Sequence, residues 1–165
     1  MPVTKIKSKW ESGNLKFTDN SGNEILSFDS DNKRILLSED KQLTKVAKVA
    51  LGNAADTGGA VLSWVNPEAG TIAITRLLVN VTTVATGAAT VDFGTTATNG
   101  TTLSANLIDG VDVNAATGLF DNIDDAGTDG KSKQLLAEGK WLTGSRASGA
   151  VAGLVGFAYI EYIVI

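Results

Sequence analysis

Residues 154–165 read Leu-Val-Gly-Phe-Ala-Tyr-Ile-Glu-Tyr-Ile-Val-Ile, and a strand built from them has no wet side. Phe157, Tyr159, Ile163 and Ile165 fall on one face, with Ile160, Tyr162 and Val164 on the other. A strand apolar on both faces lies either at the centre of a core or between a core and a neighbouring subunit. In an open two-sheet sandwich the back of each sheet meets solvent, so the second choice suits a single small domain. Phe157, Tyr159, Ile160, Tyr162 and Val164 are therefore expected at an oligomer interface.

Working back along the chain, residues 71–84 (TIAITRLLVNVTTV) have the same composition but break their own alternation. Ile72 and Ile74 share one parity, whereas Leu77, Val79 and Val81 take the other. One extra residue near Thr75 or Arg76, a β-bulge, puts both sets on one face. From residue 60 onward Thr, Val, Ile and Ala dominate and glycines punctuate the chain at strand-length intervals. Strands are expected over 60–65, 71–84, 89–95, 118–122, 133–136, 140–148 and 153–165. The fold class is all-β, with an antiparallel, jelly-roll-like β-sandwich over residues 60–165.

The N-terminal 42 residues have a different character. Short strand-forming runs alternate with turn clusters at Ser12-Gly13-Asn14, Asn20-Ser21-Gly22-Asn23 and Ser30-Asp31-Asn32, the spacing of a tight β-meander. Its large apolar residues are too few to offset the ordering entropy of some 40 residues unaided, so this arm needs a surface to lean on. Between the two parts, Leu43, Val46, Ala47, Ala50 and Leu51 fall at helical spacing, which predicts a short helix followed by a hinge at residues 54–59. The expected organisation is thus a meander over 1–42, a helix and hinge over 43–59, and a sandwich over 60–165.

Composition narrows the function. The chain has 165 residues, 43% hydrophobic and 19% charged, with neither cysteine nor histidine. Disulfides, thiolate nucleophiles, imidazole bases and the metal centres built on those ligands are excluded, and no cofactor is expected. A formal net charge of −4 offers no general attraction to phosphate backbones, so nucleic acid is not an expected partner. No apolar run has the length of a membrane span, and no apolar stretch follows the N-terminal lysines as in a secretory signal. The expectation is a chain made in the cytoplasm, without a membrane partner. The charge is uneven: residues 1–50 hold nine basic and seven acidic side chains (+2), the remainder five and eleven (−6).

The short motifs carry little chemistry. Gly130-Lys131-Ser132 ends like a phosphate-binding loop, but the first glycine of that pattern is replaced by Asp125, whose carboxylate would face the phosphate. Ser38 and Lys41 have the spacing of penicillin-recognising enzymes without the companion elements. Asp109, Asp112, Asp121, Asp124, Asp125 and Asp129 form the densest acidic region, yet Leu136 stands where a calcium loop beginning at Asp125 would require its glutamate. Asp, Asn and Gly are also the ordinary residues of turns. Trp10, Trp64 and Trp141 each sit among strand residues, where core packing is commoner than sugar stacking. Asn80-Val-Thr82 and Asn99-Gly-Thr101 are glycosylation sequons by pattern alone. These features predict a protein that is not an enzyme.

Residues 10–38 (WESGNLKFTDNSGNEILSFDSDNKRILLS) resemble the β-meander openings of small tailed-bacteriophage virion proteins. Residues 70–83 (GTIAITRLLVNVTT), 91–102 (VDFGTTATNGTT), 118–132 (GLFDNIDDAGTDGKS) and 147–165 (ASGAVAGLVGFAYIEYIVI) resemble the glycine- and threonine-rich sandwiches of phage capsid decoration or head-fibre proteins. The resemblance implies a trimer on the outer capsid surface, bound to the major capsid protein through one part while the other projects. The capsid contact is expected at Lys5, Lys7, Lys9, Trp10 and Lys16, the lysines steering toward an acidic shell. The alternative expectation is a carbohydrate- or receptor-binding module of a tail fibre or baseplate.

Overall fold

A computed structural model describes residues 6–29, 34–37, 44–53, 61–99 and 103–165. The chain forms two compact units, Met1–Leu43 and Thr44–Ile165. Both are built from antiparallel strands, and the described residues contain no helix.

The first unit is a four-stranded meander in the order β1 (Lys7–Glu11), β2 (Asn14–Thr18), β3 (Glu24–Asp29) and β4 (Arg34–Leu37). Strands β1 and β2 are joined by Ser12-Gly13, both at positive φ (52° and 79°), the two-residue turn whose twist matches a hairpin. The next turn is held by Asp19, whose carboxylate accepts the Ser21 and Asn23 amides at 2.8 and 2.9 Å. The register sets Trp10 opposite Leu15, Leu15 opposite Phe28 and Phe17 opposite Leu26, so one face of the sheet is apolar.

The second unit is a sandwich. One sheet runs β10 (Gly118–Asp121), β7 (Ile72–Thr83), β13 (Val155–Val164), β5 (Lys45–Ala50), with β11 (Gln134–Leu136) paired to the other end of β7. The second sheet runs β6 (Leu62–Val65), β12 (Trp141–Gly149), β8 (Ala89–Thr96), β9 (Ile108–Asp112). Between them lie Ile72, Ile74, Leu77, Val79, Val81 and Ile160 from the first sheet, and Leu62, Val91, Phe93, Ile108 and Leu142 from the second, all buried. Each such aliphatic side chain contributes about 1.5–3 kcal/mol by leaving water.

The bulge in β7 lies where its alternation breaks. Glu161 pairs with Arg76 and Tyr162 with Ile74, leaving Thr75 as the extra residue. The Thr75 hydroxyl donates to the Glu161 carbonyl at 3.2 Å. A second bulge skips Thr82, whose hydroxyl likewise donates to the Val155 carbonyl at 3.1 Å. Two threonines thus supply side-chain donors at the places where β7 and β13 change step.

Residues 45–50 correct the expected helix: Lys-Val-Ala-Lys-Val-Ala is strand β5, paired with β13 from Lys45↔Tyr162 to Ala50↔Phe157. The segment fits either period, with Val46 and Ala50 one helical turn apart and Ala47 and Val49 alternating inward. Six residues form a marginal helix, whereas pairing satisfies the free edge of β13, and β-branched valine favours the strand. The expected hinge at 54–59 and the Ser38–Lys41 pair lie outside the described residues.

Tight packing at the centre of the sandwich yields a test. A Cβ on Gly144 would stand 2.5 Å from the Phe93 ring and 2.9 Å from the Leu62 Cβ. Gly144→Ala is expected to lower stability by about 2 kcal/mol in urea denaturation, whereas Gly87→Ala, where nothing lies within 4 Å, serves as the near-neutral control.

Candidate functional site

Two sheet faces are candidates for binding, one in each unit. In the first, Trp10 (70% exposed) and Phe28 stand out from the apolar face, beside the half-buried Leu15, Phe17 and Leu26. Phe17 and Phe28 meet edge to face with centroids 5.9 Å apart. The opposite face is ionic. Lys9 meets Glu11 at 3.2 Å, and Lys16 bridges Glu11 and Glu24, each also at 3.2 Å. Both lysines of this network hold Glu11 below the ordinary carboxylate range, Lys16 the more strongly.

This arrangement divides the expected capsid contact. Lys7, Lys9 and Lys16 lie on the face away from Trp10, since strand neighbours point to opposite sides and the register sets Lys9 opposite Lys16. A flat partner meets either the tryptophan or the lysines. Lys5 lies outside the described residues.

In the second unit, β13 separates the five residues expected at an interface. Ile160 and Tyr162 are buried in the chain's own core, and Val164 packs against it. These three are corrected to core positions; the alternation of the strand, with Ala158 also inward, aims them at the opposing sheet. Phe157 and Tyr159 remain on the outer face. There they join Lys48 of β5, whose ammonium lies 4.0 Å from the Phe157 ring centroid and 5.6 Å from that of Tyr159. Leu78 pairs with Tyr159, and Leu119 with Asn80 in the next row, which extends the same face across β7 and β10.

A buried polar junction braces this sheet. The side-chain oxygen of the fully buried Asn122 accepts the Leu77 amide at 2.7 Å, and its nitrogen donates to the Lys131 carbonyl at 3.1 Å, closing the gap between β10 and β11. Asp121 accepts the amides of Ile123 and Asp124 at 2.8 and 2.9 Å and Arg76 at 2.5 Å. The Asp124 amide and the Arg76 guanidinium hold its carboxyl below the ordinary range against the cost of burial. At another corner, Glu68 takes Lys45 at 2.8 Å and the Tyr162 hydroxyl at 3.1 Å, and burial together with that carboxylate pushes Tyr162 up to about 12.

The acidic region is a set of turns. Asp109, Asp112, Asp121 and Asp125 each accept backbone amides, and no three carboxylates among the described residues are placed to hold a metal ion. Trp64 and Trp141 make no common platform. Trp64 faces the core, 5.4 Å from the Tyr162 ring, while its neighbour strand sends Trp141 to the other side of the sheet. An open cavity of about 310 Å³ lies between Thr95, Thr96, Ala97 and the segment around Leu136, with Lys140 at its rim and no aromatic wall.

Sequence reading missed Val46, Lys48, Leu78 and Leu119. The adjacent Leu77-Leu78 pair was the available signal, since a strand with large apolar residues at neighbouring positions is apolar on both faces. Compared with known proteins, the chain matches no family model, no curated protein and no solved structure.

Titration tests the buried carboxylates in opposite directions. Burial raises Asp92, and the nearby Asp109 and Asp129 add to this against the Gly110 amide that it accepts. Its folded form therefore binds a proton more tightly than its unfolded form, and the associated stability is full at acid pH and falls as pH rises through the raised value. Asp121 is lowered, so its stabilisation is present at neutral pH and is lost as pH falls through the lowered value. Asp92→Asn, which keeps the acceptor for Gly110, is expected to raise the melting temperature at pH 7 and lose that advantage at acid pH. Asp121→Asn is expected to lower it at pH 7 by a margin that shrinks with acidification.

Proposed function

We propose that the chain is a non-enzymatic structural protein of a bacteriophage virion, a capsid decoration or head-fibre protein that binds the major capsid protein on the outer shell as an oligomer. The observation that supports this reading most is the first unit's single-layer sheet. One of its faces is ionic and internally paired, while the other presents Trp10, Leu15, Phe17, Leu26 and Phe28. A four-stranded layer with an uncovered apolar face gains most of its burial by lying on another protein. Tryptophan is one of the residue types enriched among the anchors of such contacts.

Function follows from linkage. A protein that binds the closed shell and not the opened one stabilises closure by its binding free energy, which grows with free concentration relative to Kd. No side chain need react, in keeping with a chain that has no histidine or cysteine. The attachment chemistry differs from the lysine steering expected at first. Lys9 and Lys16 are already paired with Glu11 and Glu24, so the grip falls to the apolar face.

Sedimentation with undecorated shells of the encoding virus tests this directly. Trp10→Ala is expected to weaken shell binding on the order of 30-fold, as for an interface anchor. Lys9→Ala and Lys16→Ala are expected to change it less than about threefold, with little dependence on salt. The reverse ranking, or strong salt dependence, would return the contact to the lysines. Absence of binding to any shell together with glycan quenching of tryptophan fluorescence would move the protein to the receptor-binding class.

A further inference from the structure

The two outer faces of the sandwich are finished in opposite ways. On the β6-β12-β8-β9 sheet Val65 and Trp141 stand on the outer face at one end, but its centre is polar and covered: Asp92, Thr143 and Ser145 are 5%, 1% and 0% exposed. The chain after β8 folds back over them. Asn99 meets the Ser63 hydroxyl at 2.5 Å, and Ser104 and Asn106 occupy the space where a Cβ on Gly94 would stand. On the β10-β7-β13-β5 sheet most outward residues are apolar, and several are bare. Val46, Leu119 and Leu135 are 60%, 62% and 62% exposed, around half-buried Leu78, Phe157, Tyr159 and Ile163. Polar where covered and apolar where bare is the reverse of what a freely dissolved sandwich requires.

We propose that this bare face is covered by a second copy of the same chain, packed sheet face against sheet face. Charge favours a copy over a different partner. The face carries Lys48, Arg76, Asp121 and Glu161, a formal sum of zero on a chain of net charge −4. Arg76 and Asp121 neutralise each other, while Lys48, over its two rings, meets no carboxylate at ion-pair distance among the described residues. Lys48 and Glu161 are thus left as one charge of each sign, and two copies offer each other the complement of both. The other charged residues of the second unit, five basic and nine acidic, sum to −4, which disfavours the approach of a copy through that unit's other surfaces.

The size is adequate. Four rows about 4.8 Å apart, with β10 and β11 sharing one of them and an average length of about 30 Å, present roughly 600 Å² in projection. Side-chain relief brings this near the ~800 Å² per partner of a stable interface. The braced junction at Asn122 and Asp121 keeps the sheet rigid beneath it, so little ordering entropy is lost on association.

Light scattering of the full chain over a concentration series tests the proposal, with melting curves to confirm folding. The expected wild-type mass is twice 17.1 kDa, since a face that packs against its own copy closes at two. Leu119→Asp, at an exposed edge position, is expected to raise the dissociation constant on the order of 30-fold or more. Val46→Asp, on the opposite edge of the face, is expected to do the same should Leu119→Asp fail to fold. A wild-type chain monomeric at every concentration overturns the proposal, as does an oligomer that both variants leave intact. The proposal deepens the virion reading by naming the oligomer surface. A monomeric Leu119→Asp chain that still sediments with shells separates the two, since shell attachment then stands without association.

Discussion

Strand β13 makes a demand that no single neighbour can meet. Its backbone needs partners on two edges and its side chains need cover on two faces. The edges are met by β7 and β5, and the inner face, through Ala158, Ile160 and Tyr162, by the opposing sheet. The long pairing of β7 with β13 then dictates much of the rest. Both strands are heavily apolar, yet their inward residues keep step only if β7 carries extra residues at Thr75 and Thr82. Without the first, Ile72 and Ile74 would face outward while Leu77, Val79 and Val81 faced the core. Threonine suits these positions because its hydroxyl reaches the partner's carbonyl where the ladder loses its regular spacing.

What was legible in the amino-acid sequence follows from which signals are local. Glycine and asparagine turns bound the meander, and the phase break in residues 71–84 located the bulge to one of two residues. The β5 segment was not legible, because six residues with valine and alanine fit two periods and only the unpaired edge of β13 decides between them. Strand β9 escaped for another reason. Ile108 and Val111 are both buried and three residues apart, since Gly110 takes a positive φ of 83° and Asp92 accepts its amide. The alternation is lost in a stretch whose aspartates read as a loop. At the candidate surfaces, alternation placed Phe157 and Tyr159 on one face, but the partition between core and outside needed the opposing sheet. Trp10 and the lysines were read as one patch because they are adjacent in sequence, whereas adjacency in a strand means opposite faces.

The contrast between the sandwich's two outer faces also explains where the acidic and polar residues went. Asp92 is tolerated in a covered position because the Gly110 amide partly satisfies it, at the cost of a raised proton affinity. Asp121 is buried with better company, two amides and a guanidinium, and keeps its charge. Polar groups are thus spent on closing loops over one sheet and on bracing the gap between β10 and β11 in the other. Asp109, Asp112, Asp121 and Asp125 likewise tie turns, each an acceptor already occupied by a backbone donor.

Across both units the same physical pattern recurs, a sheet with one face satisfied internally and one apolar face left open. In the meander the satisfied face is an ion-pair network, in the sandwich it is the core, and what remains open carries Trp10 in one case and Tyr159 with Leu119 in the other. A face already covered contributes nothing to a second contact, so each separate open face adds its own burial. A protein with one such face per unit is thereby suited to two simultaneous contacts, and in the proposed virion role these are the shell and a second copy. Linking them raises the effective concentration of each remaining shell contact once the first is made. In that proposed role an oligomer would hold the shell far more tightly than a single meander, with its small apolar area, would hold it alone.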